Sequence, residues 1–181
     1  MRWRPPDRRL TLFRCRLHHG SGPRLRGGCK GGQDGQALGR SRGGFSTKIH
    51  LKTDHDGLPI AFDLTLGQAS DSRRFPVLLD LGPDIAPRAG VGDKGYDSVA
   101  NRAAARARGI CPVIPLKSTA KSTPRFFSKA LYKGRARIEQ AVGKLKRFKR
   151  VALRCEKTAQ NCGSFVALGL TFILIKSVHR T

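Results

Sequence analysis

The segment from Phe45 to Leu66 constrains the fold most. FSTKIHLKTD alternates apolar and polar residues, with Phe45, Thr47, Ile49 and Leu51 on one face, the period of a half-buried strand. Asp56-Gly57 then supplies a hairpin turn, and Leu58 to Leu66 returns as the partner strand. The period changes after that. Ser70 or Asp71 can cap a helix whose apolar set is Phe75, Leu78, Leu79 and Leu81, ended near Gly82-Pro83. Arg88 to Gly92 reads as a short strand weakened by two glycines, Ser98 starts an alanine-rich helix that runs to Arg108, and CPVIP from Cys111 to Pro115 reads as a buried strand. A basic loop from Lys117 to Lys129 leads into the amphipathic helix that carries Glu139, within the stretch Tyr132 to Arg150. Strands and helices in this order predict an α/β chain with a mixed sheet.

Residues 1–44 have a different texture. They are rich in arginine and glycine and show no apolar periodicity beyond LTLF at Leu10 to Phe13, so they are expected to be a basic, mostly disordered lead, with LTLFRCRL as a weak strand candidate. Residues 45–181 are then the folded part. Over the whole chain of 181 residues, 36 lysines and arginines face 12 acids, a formal net charge of +24. Such a balance points to a polyanionic partner, most simply nucleic acid. The 5 cysteines are odd in number and contain no Cys-x-x-Cys pair, which fits neither a disulfide framework nor a zinc site and suits a reducing cytoplasm. No apolar run near the N-terminus resembles a signal peptide. FVALGLTFILI, Phe165 to Ile175, is shorter than the roughly 20 residues of a membrane span and is expected to be a buried terminal helix, with no membrane partner.

Two acids stand out. Glu139 is the only acidic residue between Asp97 and Glu156, and it lies on a helix whose apolar stripe is Ile138, Ala141, Val142, Leu145 and Phe148. At about 100° per residue, Arg135 and Gly143 flank it by about 40° and Lys146 by about 20°, with Tyr132 on the same face if the helix reaches back that far. Taken alone, this also fits a solvated helix surface. Asp93 follows a strand at its carboxyl end, where α/β sheets present function, with Lys94 and Tyr96 beside it; an acid opening a turn is the bland alternative. Asp54, His55 and Asp56 are better read as turn residues than as a metal site.

Tyr132-x2-Arg135-x3-Glu139-x6-Lys146 resembles the signature around the last acid of insertion-sequence transposases that use an Asp, Asp, Glu triad, and GDKGYDS resembles the segment around their second aspartate. GRSRGGFSTKIHLKTDHDGLPIAFDLT, ASDSRRF, NRAAARARGI and FVALGLTFILIKSVH extend the resemblance from about Gly35 to the end, and the group resembled is the IS-five group. The resemblance implies a ribonuclease-H-like mixed sheet flanked by helices, here truncated at its N-terminal strand. It also implies catalytic and metal-binding roles for Asp93 and Glu139, and two Mg²⁺ or Mn²⁺ ions in a complete site. Lys94, Tyr132, Arg135 and Lys146 would hold DNA, both the element's ends and the target. Expected protein partners are the full-length transposase or a second copy, at the nucleoid in a bacterial cytoplasm.

The pattern breaks at the first acid. An Asp-Ser-Thr-like strand should precede the glycine linker, but the chain offers RRLTLFRCRLHHGSG, with Asp7 and Asp34 the only acids before Asp54. The abrupt change of text near Lys30 is what a shifted reading frame upstream would produce, and translating the encoding DNA in the other frame tests it. Two function classes follow: a DNA-cutting and strand-joining enzyme, left incomplete here, or a non-catalytic DNA-binding product that regulates transposition. A ribosomal-type RNA-binding protein is supported by charge alone.

Overall fold

The computed structural model describes residues 9–18, 34–42, 44–84, 87–118 and 127–179, the first of these as backbone apart from Leu17. Its strands are β1 (Arg9–His18), β2 (Gly39–Ser41), β3 (Gly44–Asp54), β4 (Pro59–Leu66), β5 (Ala89–Gly92) and β6 (Cys111–Val113). Its helices are α1 (Phe75–Asp80), α2 (Val99–Ala107), α3 (Lys129–Lys133), α4 (Arg135–Lys146), α5 (Lys149–Ala152) and α6 (Ala159–Val178). One sheet runs β2-β3-β1-β5-β6, with β4 also on β3. β1, β5 and β6 are parallel, and β2 is antiparallel to β3. β3 and β4 pair through a tight turn, which makes them antiparallel. This is an α/β fold with a mixed sheet and flanking helices.

The N-terminal strand expected to be missing is present as backbone. β1 pairs with β5 from Arg9 against Ala89 to Leu12 against Gly92. What it lacks is an acid, for RLTLFRCRLH contains none. Regular structure therefore begins well before the boundary expected after Gly44: β1, a 3₁₀ turn at Asp34–Gln36 and β2 all lie inside the expected lead. The propensity of LTLF for strand outweighed the surrounding arginines once β5 offered a parallel edge. Residues 1–8, 19–33 and 43 of that lead, Asp7 included, lie outside the described residues.

The chain clusters into two compact units, through which β1, β3, β4 and α4 pass. The first comprises Met1–Phe13, Leu51–Phe62 and Ser70–Gln140. Its core is Phe75, Leu78 and Leu79 from α1, Tyr96, Ala105 from α2, and Ile110 and Ile114 flanking β6. Each phenylalanine, leucine and isoleucine among them, taken fully from water, contributes about 1.5–3 kcal/mol before entropy is counted. The two glycines that weakened β5 as a strand candidate have a packing reason. A Cβ on Gly92 would stand 3.0 Å from Ile114 Cγ1, and one on Gly90 3.2 Å from Ile110 Cγ2. Ser98 caps α2 as expected, its hydroxyl accepting from Asn101 N at 3.0 Å, and Gly109 ends the turn with φ +71°.

The second unit comprises Arg14–His50, Asp63–Ala69 and Ala141–Thr181. Here α6 buries Cys162, Val166, Gly169, Leu170 and Ile173, a single face at helical spacing, while Leu168, Phe172 and Ile175 stay exposed. Gly169 permits the packing, because a Cβ there would lie 2.9 Å from Leu145 Cδ1. α6 is also longer than the apolar run suggested: it has 20 residues, and by length and composition it could cross a bilayer, with 28% of its most apolar window buried. Arg154, with φ +46° and 1% exposed, is the unit's polar anchor. Its guanidinium donates to Thr47 Oγ1 (2.8 Å), to Gln36 O (2.8 Å), to Thr158 O (3.2 Å) and to Glu156 O. Burial pulls its pKa below the usual guanidinium range, with Cys162 and Glu156 opposing.

β3 departs from the half-buried pattern, being buried from Ser46 to Thr53 on both faces. Its lysines extend to carbonyls: Lys48 Nζ donates to Ala69 O (2.6 Å), and Lys52 Nζ to Leu79 O (3.0 Å) and Leu81 O (2.7 Å), closing the carboxyl end of α1. The helix expected around Glu139 is also interrupted. Gly134 separates α3 from α4, and Phe148, 37% exposed, opens α5 instead of continuing the apolar stripe.

Candidate active site

All the geometry that follows belongs to the first unit. Asp93 leaves β5 with extended backbone (φ −69°, ψ 155°) and caps the 3₁₀ turn Lys94–Tyr96, its Oδ1 accepting from Lys94 N at 2.8 Å. Tyr96, fully buried against Phe75 with ring centroids 5.7 Å apart, pins that turn to the core. Asp93 is therefore held on a short rigid segment. Asp97 closes the turn and is buried itself. Its Oδ1 accepts from Arg102 Nε (3.1 Å) and Nη2 (2.7 Å), its Oδ2 from Lys117 N (2.7 Å), and Arg102 Nη2 also reaches Ile114 O (2.7 Å). This charge pair ties the segment bearing Asp93 to the start of the basic loop beyond β6; residues 119–126 of that loop lie outside the described residues.

Glu139 approaches from α4, and one side chain joins the two acids. Arg135 Nη2 donates to Glu139 Oε1 at 2.6 Å, and Arg135 Nη1 reaches Asp93 Oδ1 at 3.3 Å. Nη1 also donates to Tyr132 Oη at 2.9 Å, and the guanidinium carbon sits 5.4 Å from the Tyr132 ring centroid. Phe127 supports that ring at 5.3 Å. Asp93 is 17% exposed, Arg135 31% and Glu139 45%, so the group opens to solvent from a half-buried base. Asp93, Tyr132, Arg135 and Glu139 are thus brought together, although Tyr132 arrives from α3 across Gly134 and not from the same helix. Lys94 is exposed beside Asp93, and Lys146 is exposed further along α4, where the helix has entered the second unit.

The first turn of α4 is keyed to the β3–β4 turn. Arg137 Nη1 donates to Asp56 Oδ1 (2.7 Å) and His55 O (3.2 Å). Two glycines allow the approach: a Cβ on Gly134 would stand 3.0 Å from His55 Cε1, and one on Gly57, at φ +83°, 2.8 Å from Arg137 O. Asp54 serves its own turn, accepting from Leu58 N at 2.8 Å, and burial raises its pKa above the usual carboxylate value. Sequence reasoning found Asp56-Gly57 as a turn but missed that it seats the Glu139 helix, and it missed Asp97 as a strut; an arginine three residues past a glycine carries no local signal of either.

The donor chemistry bears on the divalent metal that the resemblance implies. A guanidinium is held by hard carboxylate oxygens of Asp93 and Glu139, so both acids can present oxygen to one cation, and these residues fit one divalent ion completed by water and phosphate. Two acids are one fewer than the triad that the resemblance implies. No group of three or more His, Cys, Asp or Glu side chains that could hold a metal occurs among the described residues, and β1 brings no acid to its place beside β5.

The Transposase DDE domain family model matches residues 11–172. A transposase of insertion sequence element IS402 from Burkholderia cepacia is 33% identical over 143 residues, covering 74% of this chain and 65% of that protein. A transposase of IS6501 from Brucella ovis is 34% identical over 136 residues, covering 73% of this chain and 100% of that one. This chain therefore spans less than two thirds of the IS402 relative's length and all of the IS6501 relative's. Among solved structures, the catalytic core domain of BIV integrase is similar at TM-score 0.47 and 10% identity, covering 88% of this chain and 80% of that one. The Mos1 strand transfer complex is similar at 0.42 and 15%, covering 90% and 55%. With the family model matched over nearly the whole chain and both transposases aligned to about three quarters of it, this chain belongs to the family of transposases with a DDE domain.

Proposed function

We propose that this chain is the catalytic part, residues 45–181 together with the β1 backbone, of an insertion-sequence transposase of the IS-five group. It would act on DNA and hold a divalent ion, Mg²⁺ or Mn²⁺, at Asp93 and Glu139. The observation that carries the reading is the single guanidinium shared by two carboxylates that come from separate elements. A bound ion would supply charge stabilisation and a lowered pKa for the attacking water or 3′ hydroxyl. The chain's own residues do the rest. Asp97 and Arg102 hold the turn that aims Asp93, the β3–β4 turn seats α4 so that Glu139 faces Asp93, and Lys94, Tyr132 and Arg135 offer a cationic, partly aromatic surface to the DNA backbone, with Lys146 of the second unit a further phosphate contact. The net charge of +24 adds affinity that does not depend on sequence.

A complete site takes two ions and a third acid, and RLTLFRCRLH brings none to β5. That observation favours a second role for this chain: a product that binds element ends or target DNA, or pairs with the full-length enzyme, and tunes transposition without cutting. The test is binding and cleavage of labelled duplex carrying the element's ends, with Mg²⁺ or Mn²⁺ and with Glu139→Ala as control. The expected result is binding that weakens about 10³-fold or more between 50 and 200 mM salt, with no cleavage above the control. Absence of salt-sensitive binding overturns the DNA reading, and cleavage lost in Glu139→Ala overturns the incompleteness.

A further inference from the structure

Resting on the metal and DNA reading of the Asp93–Glu139 site, we propose that Arg135 is an interlock that makes divalent-ion binding and DNA-phosphate binding at this site depend on each other. Arg135 Nη2 occupies Glu139 Oε1 at 2.6 Å, and Nη1 reaches Asp93 Oδ1 at 3.3 Å. Those oxygens are the ones an ion shared by the two acids would use. A guanidinium and a divalent ion compete there, because they are like charges drawn to the same two carboxylates. The resting protein therefore carries its own cation in the ion's place.

The side chain has somewhere else to go. It is 31% exposed, it hangs from the first residue of α4, and it already leans on Tyr132 through a hydrogen bond to the hydroxyl and contact with the ring face. Swung out on Tyr132, its planar fork suits a phosphate, with exposed Lys94 on the neighbouring turn. A DNA phosphate that captures Arg135 frees both carboxylates for the ion, and an ion that takes the carboxylates frees Arg135 for the phosphate. By linkage the two effects are the same size. The ion then enters with DNA and stays weakly held without it.

The test is a Mn²⁺ titration followed by electron paramagnetic resonance of the free ion, on the full chain, with and without a short duplex and with a duplex-only blank. Arg135→Gln should bind Mn²⁺ at least about fivefold more tightly than the wild type without DNA, and the tightening that duplex produces in the wild type should vanish in it. Arg135→Lys keeps the charge but loses the fork and should fall between the wild type and Arg135→Gln. Circular dichroism shows that each variant is folded. Mn²⁺ binding that needs Asp93 and Glu139 yet is unchanged or weaker in Arg135→Gln overturns the interlock alone, as does a DNA effect of equal size in wild type and Arg135→Gln. Mn²⁺ binding indifferent to Asp93→Asn and Glu139→Gln overturns the metal site itself, and the interlock with it.

Discussion

Replacing Gly57 with alanine tests whether the β3–β4 turn seats the helix that carries Glu139. The residue sits at φ +83°, a left-handed conformation that costs an L-residue about 1–2 kcal/mol. The new Cβ would also lie 2.8 Å from Arg137 O, 3.0 Å from Arg137 C and 3.2 Å from Arg137 Cβ. Two of these are backbone atoms in the first turn of α4, so the clash cannot be relieved by swinging a side chain, and overpacking of this kind adds about 1–3 kcal/mol. The sum is about 2–5 kcal/mol, or about 4–20 °C in Tm at 2–4 °C per kcal/mol for a domain of this size. Urea and thermal unfolding followed by circular dichroism measure it. Gly143→Ala is the control: it lies within α4 with nothing within 4 Å of its Cβ, so alanine there should stabilise by about 0.5–1 kcal/mol. A loss below about 0.5 kcal/mol for Gly57→Ala would refute the seating argument, because the strain and the contact would both have to be absent.

Other perturbations probe the supports around the site. Asp97→Asn leaves the Arg102 charge buried without its counter-ion and should cost about 3–5 kcal/mol in urea unfolding. Arg154→Lys loses the fork that spans Thr47, Gln36 and Thr158 and should destabilise by about 2–4 kcal/mol, with the second unit's amides exchanging faster with deuterium. Lys52 has its pKa lowered from the ordinary 10.5, by burial first, with Asp80 opposing. The unfolded chain then holds the proton more tightly than the folded one. The cost of the buried ammonium is thus fully present below the folded pKa and is relieved as pH rises toward 10.5, so wild-type stability relative to Lys52→Met should climb through that window in pH-dependent urea melts.

The sequence made some parts of this molecule legible because the signals were local. Alternation and a turn dipeptide located β3 and β4, a serine three residues before Asn101 located the start of α2, and helical spacing found Ile138, Ala141, Val142 and Leu145, all of them buried. Where the expectation failed, the deciding partner was distant. Polar residues of β3 looked solvent-facing, yet Lys48 and Lys52 reach carbonyls beyond β4 and at the end of α1. The helix that carries Glu139 does not reach back to Tyr132: α3 and α4 are divided at Gly134, where His55 leaves no room for a Cβ. The weak strand candidate LTLFRCRL is β1, and what the arginine-rich text around it did not disclose is its parallel pairing with β5. At the site, motif spacing named Asp93, Tyr132, Arg135 and Glu139, but it cast Arg135 as a phosphate ligand; its hold on both acids depends on a contact across 42 residues of sequence.

Anomalous diffraction from crystals of this chain bound to a short DNA duplex and soaked in Mn²⁺ tests most directly that Asp93 and Glu139 share one cation site. The expected result is a single anomalous peak between the two carboxylates, with the Arg135 guanidinium moved off them toward Tyr132 and a DNA phosphate. A peak elsewhere on the protein, or no peak with Arg135 still bridging the two acids, would contradict it.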